Sequence, residues 1–533
     1  MKKKQEIRGK IYRRMIKSEV FMEKKEGLIC RIKQNGKIYL YMVAMAVLFL
    51  LICSRSSLLY PCNNWDDANS YFSMGKFMMN GGVIYRDLYD QKGPYLYLLY
   101  GLAYLISGNT FFGVFLMEIL AVSFFLLAGY RIFCLYCREK TALVLVPILA
   151  AACLSAKSFY WGGAAEEFCL PLFAWSLYFS LRYFKEEYPK APGLKMILTN
   201  GIFAGIIMQV KFNMLGFYFA WMAAIALMNF TRANRKKALA SCGVFLSGMG
   251  ITFLPWLIYF GIHGALDDWY TCYIYNNVFL YSDLSKASTG IGGKIYTLAK
   301  ILYYLILDNA SYFIPLILGM FFLLVYRGTR WYEKLNLYAM FGLLFLGIFV
   351  GGANLPYYSI PLMVFATVGL GAVGVFLDWL LYERGGKNKE TGTSTVKWTA
   401  AIVCVCLVCL TEAWTGSMNT PFMEQKKEEF FLYKFKEIVQ QEEEPTLLNY
   451  NCLDAGLYTV AEIVPTCKYF QTNGIPLKEM EEEQRRYMRE GKTEFVLTRD
   501  SYPENIREMY DLVGYEKNLS NGTEFEYYLF KRK

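Results

Sequence analysis

Two adjacent carboxylates, Asp66 and Asp67, stand in NWDDANSYF (64–72), a short way past the apolar run KIYLYMVAMAVLFLLICS (37–54). Carboxylates beside a membrane are costly unless they face water or carry chemistry. A carboxylate within reach of an attacking hydroxyl can take its proton. The same stretch of chain continues through Gly81-Gly82, Asp87 and Asp90 to Lys92-Gly93-Pro94, and only then turns apolar again. Further along stand Glu166 and Glu167 in AAEEFCLP, Lys211 in QVKFN and Tyr358 in GGANLPYYSIPL. Acids able to accept a proton and lysines able to neutralise an anion point to group transfer with a charged leaving group.

The elements that position these residues are set by hydropathy. The chain has 533 residues, 55% of them hydrophobic and 17% aromatic, with mean hydropathy +0.25. Several runs approach the roughly 20 apolar residues of a membrane-crossing helix. The composition reads as a polytopic α-helical membrane protein with about 11 transmembrane helices. Spans are expected near 38–55, 111–133, 141–158, 168–184, 196–213, 214–230, 238–262, 307–325, 335–351, 357–382 and 397–414. The run YLYLLYGLAYLIS (95–107) is short for a span and reads as an interfacial helix on the outer side.

The net charge of +11 is uneven: residues 1–37 hold thirteen Lys/Arg against four Asp/Glu. A nucleic-acid arm is set aside, because a span follows at once. Basic residues flanking a first span mark the cytoplasmic side. With eleven spans, CREK (137–140), RYFKEEYPKAPGLK (182–195), TRANRKK (231–237), YRGTRWYEK (326–334) and RGGKNKETGTSTVK (384–397) all fall on that side. The outer face then receives 56–110, 159–167, the turn near 211–214, a loop over 263–305, the turn GGANLPYY and everything after 415. The first span lacks a signal-cleavage pattern and is expected to be retained in the plasma membrane.

The chain divides into a basic segment (1–37), a membrane part (38–414, with 56–110 as its first outer loop) and a C-terminal extracytoplasmic part (415–533). In the last, TLLNY, EFVLTR and YYLFKR read as strands. MEQKKEEFFLYKFKEIVQQEEE, EMEEEQRRYMREG and SYPENIREMYDLV read as helices, so a small α/β unit is expected. Cys452 and Cys467 are able to pair if that unit is outside, and the composition leaves open whether they do. One histidine, His263, excludes a His-rich metal site. No Gly-rich nucleotide-binding pattern follows a strand, which argues against a nucleotide-sugar donor.

The order of these features resembles the GT-C class of integral-membrane glycosyltransferases, in the protein O-mannosyltransferase and aminoarabinose-transferase branch. That branch carries an Asp-Glu pair after its first span, then a Gly-rich turn, then Glu-Lys-Pro-Pro-Leu. Here Asp66-Asp67, Gly81-Gly82 and Gln91-Lys92-Gly93-Pro94-Tyr95 stand at those places. AAEEFCLP resembles the acidic second outer loop, and GGANLPYYSIPL an outer turn before a Pro-containing span. The resemblance implies an inverting glycosyltransferase that moves a sugar from a polyprenyl-phosphate donor to an envelope polymer, lipid or protein. Asp66 is then the base and Asp67 its support, or the base itself if the register slips by one. Lys92, Lys211 and Tyr358 would contact the donor phosphate, and Glu166 and Glu167 would orient sugar or acceptor hydroxyls. No cofactor is otherwise called for. In the aminoarabinose enzymes the Glu before the lysine and a histidine can hold a divalent metal, but Gln91 and Tyr357 occupy those places here.

Plainer readings stand beside these. Asp66 and Asp67 are also suited to cap a helix at ANSYF, and Lys211 to snorkel from a span end. Asp87, Asp90, Asp267, Asp268 and His263 suit loops and turns. The aromatic run YTCYIYNNVFLYSD suits a membrane interface. A transporter or flippase of lipid-linked sugars would also be polytopic, but charged residues gather at one face and no paired repeat is visible. A silent membrane anchor for an envelope assembly is the third reading.

Overall fold

In the computed structural model of the chain, residues 35–231, 235–280, 290–383, 395–472, 474–475, 477–520 and 523–533 are described. The basic segment 1–34, much of RGGKNKETGTSTVK and part of TRANRKK lie outside them. Helices occupy every apolar run: α1 (Asn35–Cys53), α2 (Asp66–Met79), α3 (Pro94–Ile106), α4 (Phe112–Phe133), α5 (Glu139–Leu154), α6 (Ala165–Arg182), α7 (Leu194–Met208), α8 (Gly216–Asn229) and α9 (Arg235–Ile262). Ile291–Asp308, Ala310–Val325, Trp331–Phe349, Ala366–Asp378 and Thr395–Gly416 follow. The chain has the architecture of a multi-pass membrane protein.

Among the described residues, six helices are long and apolar enough to cross a membrane, seven if one bent pair counts as a single span. The count of eleven is not reached on these criteria. The reason is local: α5 and α7 run only 16 and 15 residues, and α6 begins with Glu166 and Glu167. The expected loop over 263–305 is also partly helical. Leu266–Trp269 runs on into Tyr270–Leu280. Ile291–Asp308 then bends by 114° into Ala310–Val325.

The turn expected around Gly81-Gly82 ends α2. Gly81 has φ +88°, a left-handed conformation that costs glycine little. Its N–H donates to the carbonyl of Met78, and that of Gly82 to Phe77. This is the Schellman arrangement that satisfies the last carbonyls of a helix. Pro94 then opens α3 at its first turn, where a missing N–H costs nothing.

Every segment expected on the outer side meets at one end of the helices. Asn63 donates to the carbonyl of Gly162, Gly93 N–H to Val210, Asn277 to Gln91 and Tyr89 N–H to Lys468. Both ends of α3 reach this layer, since Asn109 just beyond it bonds Glu462.

The C-terminal segment folds as an α/β unit with the strand order β1-β2-β4-β3: β1 (Leu447–Asn449), β2 (Phe495–Arg499), β3 (Tyr510–Ser520) and β4 (Thr523–Arg532). β1 and β2 are parallel, while β2–β4 and β4–β3 are antiparallel. The helix expected over SYPENIREMYDLV is confined to Ile506–Met509, and its end becomes β3. Pairing along β4 provides the hydrogen bonds that override local helix preference there. Cys452 and Cys467 are buried free thiols, so no disulfide joins them. Cys452 donates instead to the carbonyl of Leu497.

Candidate active site

Trp65 is the N-cap residue of α2, with extended backbone, and Asp66 and Asp67 take its first two helical positions. No side chain caps the helix, so the capping role open in the sequence is not the one adopted. Both carboxylates sit where the helix dipole favours negative charge, and both reach to partners beyond the first turn.

Asp67 Oδ2 accepts a hydrogen bond from the Tyr357 hydroxyl at 2.7 Å and another from Tyr71 at 3.2 Å. Tyr71 stands one turn along α2. Tyr357 belongs to the 3₁₀ segment Pro356–Phe365. Asp66 Oδ2 pairs with Arg499 Nη1 at 2.8 Å. Three-quarters of the Asp66 side chain is covered, and burial raises its pKa above the usual carboxylate value while Arg499 opposes that rise. Burial also works against the charge of Arg499, but the contact with Asp66 outweighs it and holds the guanidinium proton more tightly than usual.

Aromatic rings wall the carboxylates on one side. Trp65 stacks on Trp161 with centroids 5.1 Å apart and planes 9° from parallel. The Tyr357 ring meets Trp65 edge-on at 4.9 Å. The Trp161–Gly163 turn has positive φ throughout, and Glu167 holds it by accepting the Gly163 N–H at 2.9 Å.

Two lysines stand near the tyrosines that hold Asp67. The Lys92 ammonium lies 5.9 Å from the Tyr71 ring centroid, and among the described residues no carboxylate lies within 4 Å of it. Its backbone is gripped twice: the Lys92 N–H donates to the Tyr97 hydroxyl, and its carbonyl accepts from Tyr85. Tyr97 in turn donates to Asp90 at 2.8 Å. Gly93 follows because a Cβ there would lie 1.8 Å from the carbonyl oxygen of Gln209. That crossing sets Lys92 beside the 209–211 turn. Lys211 does not snorkel. Its ammonium pairs with Glu166 and sits 3.8 Å above the Tyr358 ring and 5.6 Å from that of Tyr357.

Asp66, Asp67, Lys92, Lys211, Tyr358 and Glu166 are thus drawn together around Tyr71 and Tyr357. Glu167, 1% exposed, faces the Gly163 backbone instead. Asp87 pairs with its neighbour Arg86 at the surface, as a loop residue. Sequence reasoning missed Arg499, and nothing in EFVLTRD marks it. It also gave no role to Tyr71 or to Tyr357, although the double tyrosine was the available signal.

The C-terminal segment grips α2 along its length. Ser70 donates to Gln471, Ser73 to Asp454 Oδ2 at 2.7 Å, and Thr459 to Asn69. Lys76, fully buried, donates to the carbonyls of Tyr458 and Ile463. Burial pulls its pKa down to about 8.

No protein-family model matches the sequence, and no curated protein matches it either. Solved structures do. The apo structure of ArnT, an aminoarabinose transferase, from Cupriavidus metallidurans aligns with TM-score 0.60 at 11% identity, over 93% of this chain and 98% of that one. The fold is that of the GT-C glycosyltransferases. The same ArnT bound to undecaprenyl phosphate aligns with TM-score 0.56 over the same shares of the two chains, again at 11% identity. An oligosaccharyltransferase from Archaeoglobus fulgidus aligns at 0.49 and 12% identity, over 92% of this chain and 73% of its own.

The metal that the resemblance carries does not suit the residues present. Among the described residues no group of three His, Cys, Asp or Glu side chains is placed to hold one. Gln91 Oε1 is buried without a hydrogen-bond partner, but it is one neutral oxygen. Oδ2 of Asp66 is held by Arg499, and Oδ2 of Asp67 by two tyrosines. Hard divalent cations are held by several oxygens, with carboxylates among them.

Proposed function

We propose that the chain is an integral-membrane glycosyltransferase that moves a sugar from a polyprenyl-phosphate donor of the undecaprenyl type to a cell-envelope acceptor on the outer membrane face. The observation that carries this reading is the convergence of a carboxylate pair and two lysines on one tyrosine-lined site, at the helix end where the α/β unit sits. The GT-C fold supports it. So does the ArnT complex, whose ligand is the leaving group such a reaction releases.

The acceptor hydroxyl attacks the anomeric carbon from the face opposite the phosphate. The new C–O bond forms as the bond from the anomeric carbon to the phosphate oxygen breaks, and the configuration inverts. The acceptor proton passes to a carboxylate, with Asp66 as base. Asp66 Oδ1 takes no hydrogen bond from the described residues, while Oδ2 is held by Arg499. Asp67, fixed by Tyr357 and Tyr71, supports it. The electron pair leaves on the lipid phosphate, whose charge Lys92 meets without having to break an existing ion pair. Lys211 adds positive field tempered by Glu166, and Tyr358 lies against it. In this reading the N-terminus is cytoplasmic, α3 lies at the interface without crossing, and 415–533 is an extracytoplasmic domain.

The experiment is transfer from a panel of labelled polyprenyl-phosphate sugars in membranes, comparing wild type with Asp66→Asn and Asp67→Asn. Loss of a general base lowers the rate by about 10²–10⁴-fold, and the Asp66 variant is expected to fall in that range. Full activity in both variants overturns the mechanism. Donor consumption by neither variant nor wild type overturns the function.

A further inference from the structure

Arg499 is the last residue of β2, a central strand paired to β1 on one side and β4 on the other. Its guanidinium lies 5.1 Å from the Phe525 ring and reaches Asp66 across the junction with α2. Both sides of that junction are held by contacts other than the ion pair. The strand is fixed by its ladders, and α2 by Ser70, Ser73 and Lys76 on the C-terminal segment. The pair is therefore a built contact between two rigid elements. It puts a permanent cation on the carboxylate that a divalent metal would need.

Among the described residues, the other groups that act directly on Asp66 are acids and weak acids. Asp67 is its neighbour on α2, and Asp454, Cys452 and Tyr527 face it from the C-terminal segment. Gln91, where the resembling enzymes carry an acidic metal ligand, is neutral. Without Arg499 the covered carboxylate would stand among acids and weak acids, where the neutral form is favoured. A neutral Asp66 cannot accept a proton.

We propose that Arg499, supplied by the C-terminal segment, is a positioning residue that carries the positive charge of the carboxylate site, so that sugar transfer runs without a divalent metal. This assignment rests on the transferase reading above. It also gives the C-terminal segment a part in the chemistry: the site is incomplete until that segment is seated on α2.

The test uses the full chain with wild type, R499K and R499Q, each assayed for transfer across the acid-to-neutral range after treatment with a chelator. Wild type is expected to keep its rate after chelation. Removing a nearby cation shifts a carboxylate by about one to three pH units, so the acid limb of the R499Q profile is expected to move up by at least about one unit. R499K, which keeps a cation, is expected to retain a limb near that of wild type. A merely structural role would lower the rate without moving the limb. A limb in R499Q that coincides with wild type overturns the assignment, as does activity lost to chelation and restored by a divalent ion. A second measurement needs no turnover: binding of Mn²⁺ to the purified full chain, wild type against Asp66→Asn. No stoichiometric site is expected, and one that disappears in Asp66→Asn overturns the assignment. If wild type consumes no donor, the transferase reading fails and the Mn²⁺ measurement decides the Arg499 assignment by itself.

Discussion

Replacing Gly93 with alanine tests whether the lysine turn is placed by its crossing with the 209–211 segment. An added Cβ would lie 1.8 Å from the carbonyl oxygen of Gln209, 2.2 Å from its carbonyl carbon and 2.9 Å from the nitrogen of Val210. All three are backbone atoms, so no side chain can rotate away. Real Cβ contacts essentially never fall below 3.0 Å, so the two segments must part by more than an ångström. The 3.2 Å hydrogen bond from Gly93 N–H to Val210 is lost in the process. Lys92 moves with the turn, away from the 209–211 segment. A misplacement of about 1 Å in a reacting constellation costs about 100-fold in rate. Gly93→Ala is therefore expected to lower sugar transfer by about 100-fold, measured in membranes with a polyprenyl-phosphate sugar donor. Gly81→Ala serves as control, since its Cβ meets nothing within 4 Å and only its positive φ is strained. Gly93→Ala that folds and transfers at the wild-type rate would refute the placement of Lys92 by this crossing.

Glu166→Gln leaves the Lys211 ammonium buried without its counter-ion, the two side chains being only 2% and 13% exposed. Breaking a buried pair from one side costs about 3–5 kcal/mol, so thermal unfolding is expected at a clearly lower temperature, with recovery in the double variant Glu166→Gln/Lys211→Met. Asp454 is fully buried, and burial raises its pKa from 3.8 to about 6. Its folded form holds a proton that the unfolded chain releases. That contribution, about 3 kcal/mol by linkage, is complete below pH 3.8 and is lost as pH rises through about 6. Unfolding measured across that window is expected to depend less steeply on pH in Asp454→Asn.

The sequence by itself determined whatever depends on contiguous residues. Hydropathy located a helix at each of eleven apolar runs, because burying apolar surface needs no particular partner. Gly81-Gly82 and Pro94 read correctly as punctuation, because backbone conformation at glycine and proline is a property of those residues. The carboxylates, the two lysines and the double tyrosine were visible as types able to do the chemistry.

Tertiary structure decided what each of them touches. The helix-capping role of Asp66 and Asp67 was a sound local alternative, and it lost because the N-cap position falls one residue earlier, on Trp65. The end of SYPENIREMYDLV looked helical until β4 offered it a ladder. Lys211 could have snorkelled, but Glu166 lay within reach across the bundle. Arg499 stands 433 residues from Asp66. No spacing rule connects them, because an ion pair between distant segments is chosen by the packing of two rigid elements.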